Sequence, residues 1–172
     1  MPSVLKGRTL KPFFFVFLVW GLQGALYVLV PTITPPDLFL LATLTLASRV
    51  RPMWGLGLGY AVGLLQDAIG AGAFGFHAAG LAAAVIVGYA VRRFLSVETS
   101  FNQALVVLTA MLSKWFIFIV FNYWTRKGFI TGDSILKVMI PEIITTLVVA
   151  PFVYWLANWA FGRTLNNEEQ LL

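Results

Sequence analysis

Asp67 closes an apolar run beside Gln66, and His77, the single histidine, follows ten residues later across a stretch that contains Gly70, Gly72 and Gly75. A carboxylate within reach of an imidazole suits a proton relay, a metal site or a hydrogen-bonded clamp on a partner, because ionisable groups near a membrane are costly to keep. An aspartate in this place equally suits the plainer task of accepting from the unpaired N–H groups that open the next helix. One histidine and one carboxylate are too few to hold zinc, and the chain has no cysteine, so neither a metal centre nor a disulfide is expected.

Lys114 is the second residue whose position asks for chemistry, since it falls in the middle of the apolar run 104–124. A charge there costs about 2.5–3.5 kcal/mol on insertion scales, so it needs a carboxylate or a wet cavity. Glu142 is the nearest acid in sequence, offset by roughly 9 Å of helical rise toward the outer face, and Asp67 is the other candidate. The chain has no serine nucleophile elbow, no H-E-x-x-H, no phosphate-binding glycine loop and no pair of intramembrane aspartates. No catalytic residue and no cofactor is therefore expected.

These residues must be held by a helical frame in lipid. Of 172 residues 59% are hydrophobic and 11% charged, where a soluble domain is about a quarter charged. A crossing needs roughly 20 residues, which leaves room for one domain over 1–172 and no soluble one. Apolar runs punctuated by Pro31, Pro35 and Pro36, by the Gly70–Gly75 stretch and by charged stretches predict helices at 13–30, 37–48, 53–66, 74–91, 104–124 and 138–161. The second is short for a crossing unless residues 32–36 add depth. Lys6, Arg8 and Lys11 precede the first apolar run as in a signal peptide, but no small-x-small cleavage site follows, so a retained helix is expected.

With six crossings both termini share a side. Lys6, Arg8, Lys11, Arg49, Arg51, Arg92, Arg93 and Arg163 lie on it, eight basic residues against Arg126, Lys127 and Lys137 opposite. The positive-inside rule then makes both termini cytoplasmic and the loops 31–37 and 67–73, with one aspartate each, external. The net charge of +5 is thus a topological signal and not a nucleic-acid footprint. Trp20, Trp54, Trp124, Trp155 and Trp159 read as interfacial anchors, with Trp115 deeper.

Gly55, Gly59 and Gly63 recur at i+4 on one helix, and Gly80, Ala84 and Gly88 repeat the device on the next. In lipid, helices associate through close van der Waals approach, so such grooves invite a neighbour. That neighbour is either another helix of the same bundle or a helix of another subunit.

Residues 36–91, from Pro36-Asp37 through Gly55, Gly59, Gly63-Leu-Leu-Gln-Asp67 to Gly75-Phe-His77-Ala-Ala-Gly, resemble the MreD family of bacterial rod shape-determining membrane proteins. That resemblance implies an all-α polytopic bundle of about six transmembrane helices, similar to the substrate-binding subunits of energy-coupling-factor transporters. It implies a non-enzymatic scaffold of the cell-elongation, peptidoglycan-synthesising machinery in the inner membrane. The implied partners are a single-pass MreC-type protein and, through it, RodA and its transpeptidase. The fold likeness also keeps open a small-molecule, vitamin-type transporter subunit. An assembly subunit needs an exposed face of small and apolar residues, whereas a vitamin pocket needs convergent polar groups.

Reporter fusions at positions 34, 70 and 130 are expected to read external. A cytoplasmic signal at 130 would leave five crossings and displace the last helix.

Overall fold

The computed structural model describes residues 10–29, 34–70, 74–95, 99–125 and 131–162. They form six helices and, among the described residues, no strand. Helix α1 is Leu10–Leu29, α2 Leu38–Ala47, α3 Pro52–Ile69, α4 Phe76–Arg92, α5 Ser100–Thr125 and α6 Gly132–Phe161. The last opens with one short turn and a π-helical stretch, Ile135–Met139, before Ile140–Phe161. Helices α5 and α6, of 26 and 30 residues, are long and apolar enough to cross a membrane.

Each boundary has a local cause. Asp37 caps α2, its carboxylate accepting from Leu40 N at 3.0 Å. Proline at the first position of α3 has the fixed φ that a helix start tolerates. Gly75 precedes α4 with φ +98°, a left-handed conformation that side chains disfavour. Thr131 closes a reciprocal cap with Ser134 at the start of α6.

The helices alternate in direction, as their paired ends reveal. At one end, Phe15 of α1 meets Phe161 of α6 edge-on at 5.3 Å. Arg49, in the α2–α3 turn, donates to Gly162 O at 3.3 Å and to Asn158 Oδ1 at 2.6 Å, so it caps the finish of α6. Tyr89, near the end of α4, donates to Ala47 O at 2.6 Å and Val50 O at 3.2 Å, and Arg92 donates to Tyr154 Oη at 3.0 Å. At the other end the finish of α3 meets the start of α4, where Phe76 also packs on Phe121 of α5 at 5.2 Å. Arg49, Arg51, Arg92 and Arg93 thus gather at one end of the bundle. Burial lowers the Arg49 guanidinium to about 10, which leaves it charged at neutral pH.

Helix α2 lies at the centre. All ten of its residues are buried, in keeping with a sequence apolar on every face. At 1.5 Å per residue it spans roughly 15 Å, half of a hydrocarbon layer of about 30 Å. The chain reaches its start through the non-helical residues Thr34–Asp37.

The two small-residue faces are spent inside the bundle. Gly55, Gly59 and Gly63 are buried against α4: a Cβ would strike Tyr89 at the first, Val85 Cγ2 at 2.9 Å at the second, and the Ala78 backbone at the third. Gly80 lies under Phe118 of α5 and Gly88 under Leu44 of α2, with Ala84 buried between them. Helix α4 therefore presents one side to α3 and another to α5 and α2. The docking of another subunit on the Gly55/Gly59/Gly63 face, open from sequence, is corrected: α4 already fills it. In contrast, Gly21, Gly24 and Gly57 face outward with nothing where a Cβ would stand.

Gly63→Leu is expected to lower stability by at least about 1–3 kcal/mol, the usual cost of overpacking, because backbone cannot yield as a side chain does. Gly57→Leu should change it by no more than roughly 0.5 kcal/mol. Thermal unfolding of the two purified variants makes the comparison, and equal losses would mean that α3 is rotated from the position described.

Candidate functional site: a buried ionic cluster and a capped hairpin

Lys114 is buried at mid-length of α5 and forms an ion pair with Asp37. Its ammonium also lies 3.5 Å from Glu142 Oε1, and Glu142 Oε2 accepts from Trp115 Nε1 at 2.9 Å. The depth that sequence spacing denied to Glu142 comes from α6 beginning at Gly132, before the expected 138. Lys114 is eleven residues from the end of α5 and Glu142 ten from the start of α6, so both lie roughly 15 Å down their helices.

Asp37 joins three elements at once. One oxygen caps α2, the other takes Lys114, and its backbone N–H donates to Thr146 Oγ1 of α6 at 2.8 Å. The neighbouring N–H of Leu38 donates to Gln23 Oε1 of α1 at 3.0 Å. A helix start buried without partners would leave orphan donors, and here α1, Asp37 and α6 supply the acceptors. Thr34 adds a 3.4 Å hydrogen bond to Lys137 O, in the π-helical stretch of α6.

The placement of Asp37 in an external loop is therefore corrected: it is 3% exposed and belongs to the bundle interior. The proline before it is a helix-start signal and the missing charge partner of Lys114 was a second one. Neither reveals that the start of α2 lies at mid-bundle depth, because that depends on how far α2 is drawn in. Phe118 covers the cluster on one side, with Lys114 Nζ 5.3 Å from its ring centre, a cation–π distance.

Asp67 is not the partner of Lys114; its oxygens are spent on the hairpin. Oδ2 accepts from Gly75 N at 2.9 Å and Ala78 N at 3.1 Å, while Oδ1 accepts from His77 N at 3.0 Å and lies 2.8 Å from His77 Nδ1. The side chain of α3 thus caps α4 across the hairpin, satisfying three backbone donors that α4 cannot satisfy itself. The His77 ring meets Phe118 edge-on at 5.2 Å, which links the hairpin to the wall of the ionic cluster. Among the described residues no group of three potential metal ligands gathers.

The structure thus brings Lys114 and Glu142 together, brings Asp67 to Gly75 and His77, and sets Gly80 against the Lys114 stem, where an added Cβ would stand 3.1 Å from Lys114 Cγ. It keeps Asp67 apart from Lys114 in bonding and unites Asp37 with it instead. Trp115 is buried, as a deep tryptophan, whereas Trp54, Trp124, Trp155 and Trp159 are exposed. No family model matches the chain, and no curated protein or solved structure matches it.

Lys114→Met leaves the buried Asp37 and the partly buried Glu142 without their cation and should cost about 3–5 kcal/mol. Asp37→Asn in the same chain should restore a large part of the loss, a coupling of roughly 0.5–3 kcal/mol in a double-mutant cycle of unfolding free energies. Coupling to Glu142→Gln should be smaller and coupling to Asp67→Asn near zero. Strict additivity of Lys114→Met with Asp37→Asn would disprove the ion pair.

Proposed function

We propose that this chain is a six-crossing protein of the bacterial inner membrane, with both termini cytoplasmic, that acts without catalysis as a scaffold of the peptidoglycan-synthesising elongation machinery. The membrane part of the reading is supported by an inverted distribution of polarity. Asp37, Lys114 and Arg92 are buried while Phe14, Phe17, Ile144, Val148, Phe152 and Trp159 stand exposed, the reverse of a water-soluble surface. Together with two helices of spanning length, this favours lipid as the surrounding medium.

The observation that carries the scaffold reading is that the polar side chains at the bundle centre are turned on one another. Gln23, Asp37, Lys114, Glu142, Trp115 and Thr146 bond across α1, α2, α5 and α6, which rigidifies a frame and supports no conversion of a substrate. The resemblance of residues 36–91 to the MreD family supplies the machinery, and with it an MreC-type single-pass partner. Since the Gly55 face is filled by α4, that partner's helix is assigned to the open side of α3 and α1. There an apolar groove of about 490 Å³ runs between Val16, Phe17 and Trp20 on one wall and Leu58, Ala61 and Leu65 on the other. Glycine costs roughly 1 kcal/mol relative to alanine inside a helix, and among the described residues Gly21, Gly24 and Gly57 have no neighbour that requires them.

The rival reading, a vitamin-type transporter subunit, draws on the buried start of α2, since interrupted helices place ligand sites at mid-membrane in transporters. Its difficulty is that the donors at that start already have acceptors in α1, α2 and α6.

Depletion in a rod-shaped host should give round cells, and a photo-crosslinker at Ala61 should capture a single-pass wall-synthesis partner while one at Val148 should not. Normal rods after deletion, together with tight vitamin binding by the purified protein, would favour the transporter instead.

A further inference from the structure

We infer that α6 carries a built-in joint at its π-helical turn, Ile135–Met139, on which residues 132–139 change register by one position while Glu142 stays beside Lys114. The turn has a local cause. Ile140 N donates to Ile135 O, five residues back, where an α-helix reaches only four. The next residue is Pro141, which has no N–H and whose ring presses on the carbonyl four residues before it, so Lys137 O is denied its α-helical donor. Thr34 Oγ1 donates to that carbonyl from outside the helix, at 3.4 Å, which is long for such a bond.

The two sides of Pro141 are held very differently. No residue from 132 to 139 is buried. What fixes that stretch lies at the surface: the Thr131–Ser134 cap, the Thr34 bond, and the Lys137–Asp133 pair at 2.9 Å, whose side chains are both about three-quarters exposed. Beyond Pro141 the bonds turn inward. Glu142 accepts from Trp115 and faces Lys114, Thr146 accepts from the Asp37 N–H, and Thr145 Oγ1 donates to Pro141 O at 3.0 Å. Thr146, Ala150, Val153, Tyr154 and Ala157 are buried along the remainder. Resistance to local opening therefore drops at one place, the turn before Pro141.

A π turn holds one residue more than the α turn it replaces. Passing that residue along rotates the helix before the turn by about 100° and shifts it by about 1.5 Å, while nothing after Pro141 has to move. The exposed Asp133 and Leu136 are re-aimed. The face that α6 offers a neighbour at this end thus depends on register, and the ionic cluster is insulated from the change. Two features favour the π position: the N–H that Pro141 lacks and the bond from Thr34.

Double electron–electron resonance on the full chain in detergent micelles tests the joint, with spin labels at Gly132→Cys and Tyr123→Cys. The chain has no cysteine of its own, and both positions are exposed. One distance should dominate, and Pro141→Ala, which restores the missing N–H, should at least about double the share of a second distance, roughly 5 Å or more away. Thr34→Val should shift the populations in the same direction. Labels at Ile144→Cys and Tyr123→Cys, with the first beyond the joint, should report one unchanged distance in all three backgrounds. Hydrogen exchange of the unsubstituted chain needs no variant, and residues 132–140 should exchange at least about tenfold faster than residues 143–150. A distance from position 132 that Pro141→Ala leaves unchanged, an equal shift at position 144, or equal exchange in the two segments would each overturn the joint.

Discussion

A lysine ammonium buried in an apolar bundle fixes the rest of the structure around its neutralisation. Lys114 cannot remain alone at that depth, and the acid that answers it, Asp37, is attached to a helix of only ten residues. The pair therefore decides where α2 begins. Once α2 starts inside the bundle, its opening N–H groups lie out of reach of water and must find acceptors in protein. Gln23 from α1 and Asp37 itself accept from them, while Thr146 from α6 accepts from the Asp37 N–H. One charge thus ties four helices to a common centre. The gain is specificity of arrangement more than net stability, because desolvating a buried pair offsets a large part of its attraction.

The packing around this centre follows a division of labour between small and large residues. Glycines at Gly55, Gly59 and Gly63 let α3 and α4 approach until, at Gly63, backbone touches backbone, and Gly80 and Gly88 make room on α4 for the side chains of Phe118 on α5 and Leu44 on α2. Asp67 then locks the α3–α4 pair at its far end by bonding three backbone N–H groups of the hairpin, and Tyr89 locks it at the near end by joining α4 to the α2–α3 turn. A hairpin closed at both ends is a stiff platform. Helix α1 is held differently, through Gln23 and the contact of Phe15 with Phe161, and the apolar groove separates it from α3. The asymmetry leaves one side of the bundle open to a companion and the other closed by α5 and α6.

The proposed function draws on the same economy of polar groups. A catalyst or a receptor must hold donors and acceptors ready for a substrate, at a cost in unsatisfied polarity that the fold bears until the substrate arrives. In this bundle the central charges Asp37, Lys114 and Glu142 answer one another. On the proposed scaffold reading, such a molecule presents surfaces, among them the small residues on the outer side of α1 and α3.

The sequence by itself determined the number of helices and their approximate bounds, because apolar runs, prolines and glycines act over a few residues. It determined that Lys114 needs a carboxylate or a wet cavity, and that Asp67 lies within reach of His77 and of the helix after it, since both follow from local chemistry and short spacing. Only the tertiary structure decided which carboxylate. Glu142 is nearest along the chain, yet Asp37, seventy-seven residues away, makes the ion pair, and the depth of Glu142 changed once α6 began at Gly132. It likewise decided which glycines are internal, turning Gly55, Gly59 and Gly63 toward α4 and leaving Gly21, Gly24 and Gly57 uncovered. The physical reason is common to both. Periodicity states that a residue lies on a face, but which helix meets that face, and at what depth, is set by charges and contacts that close across the whole chain.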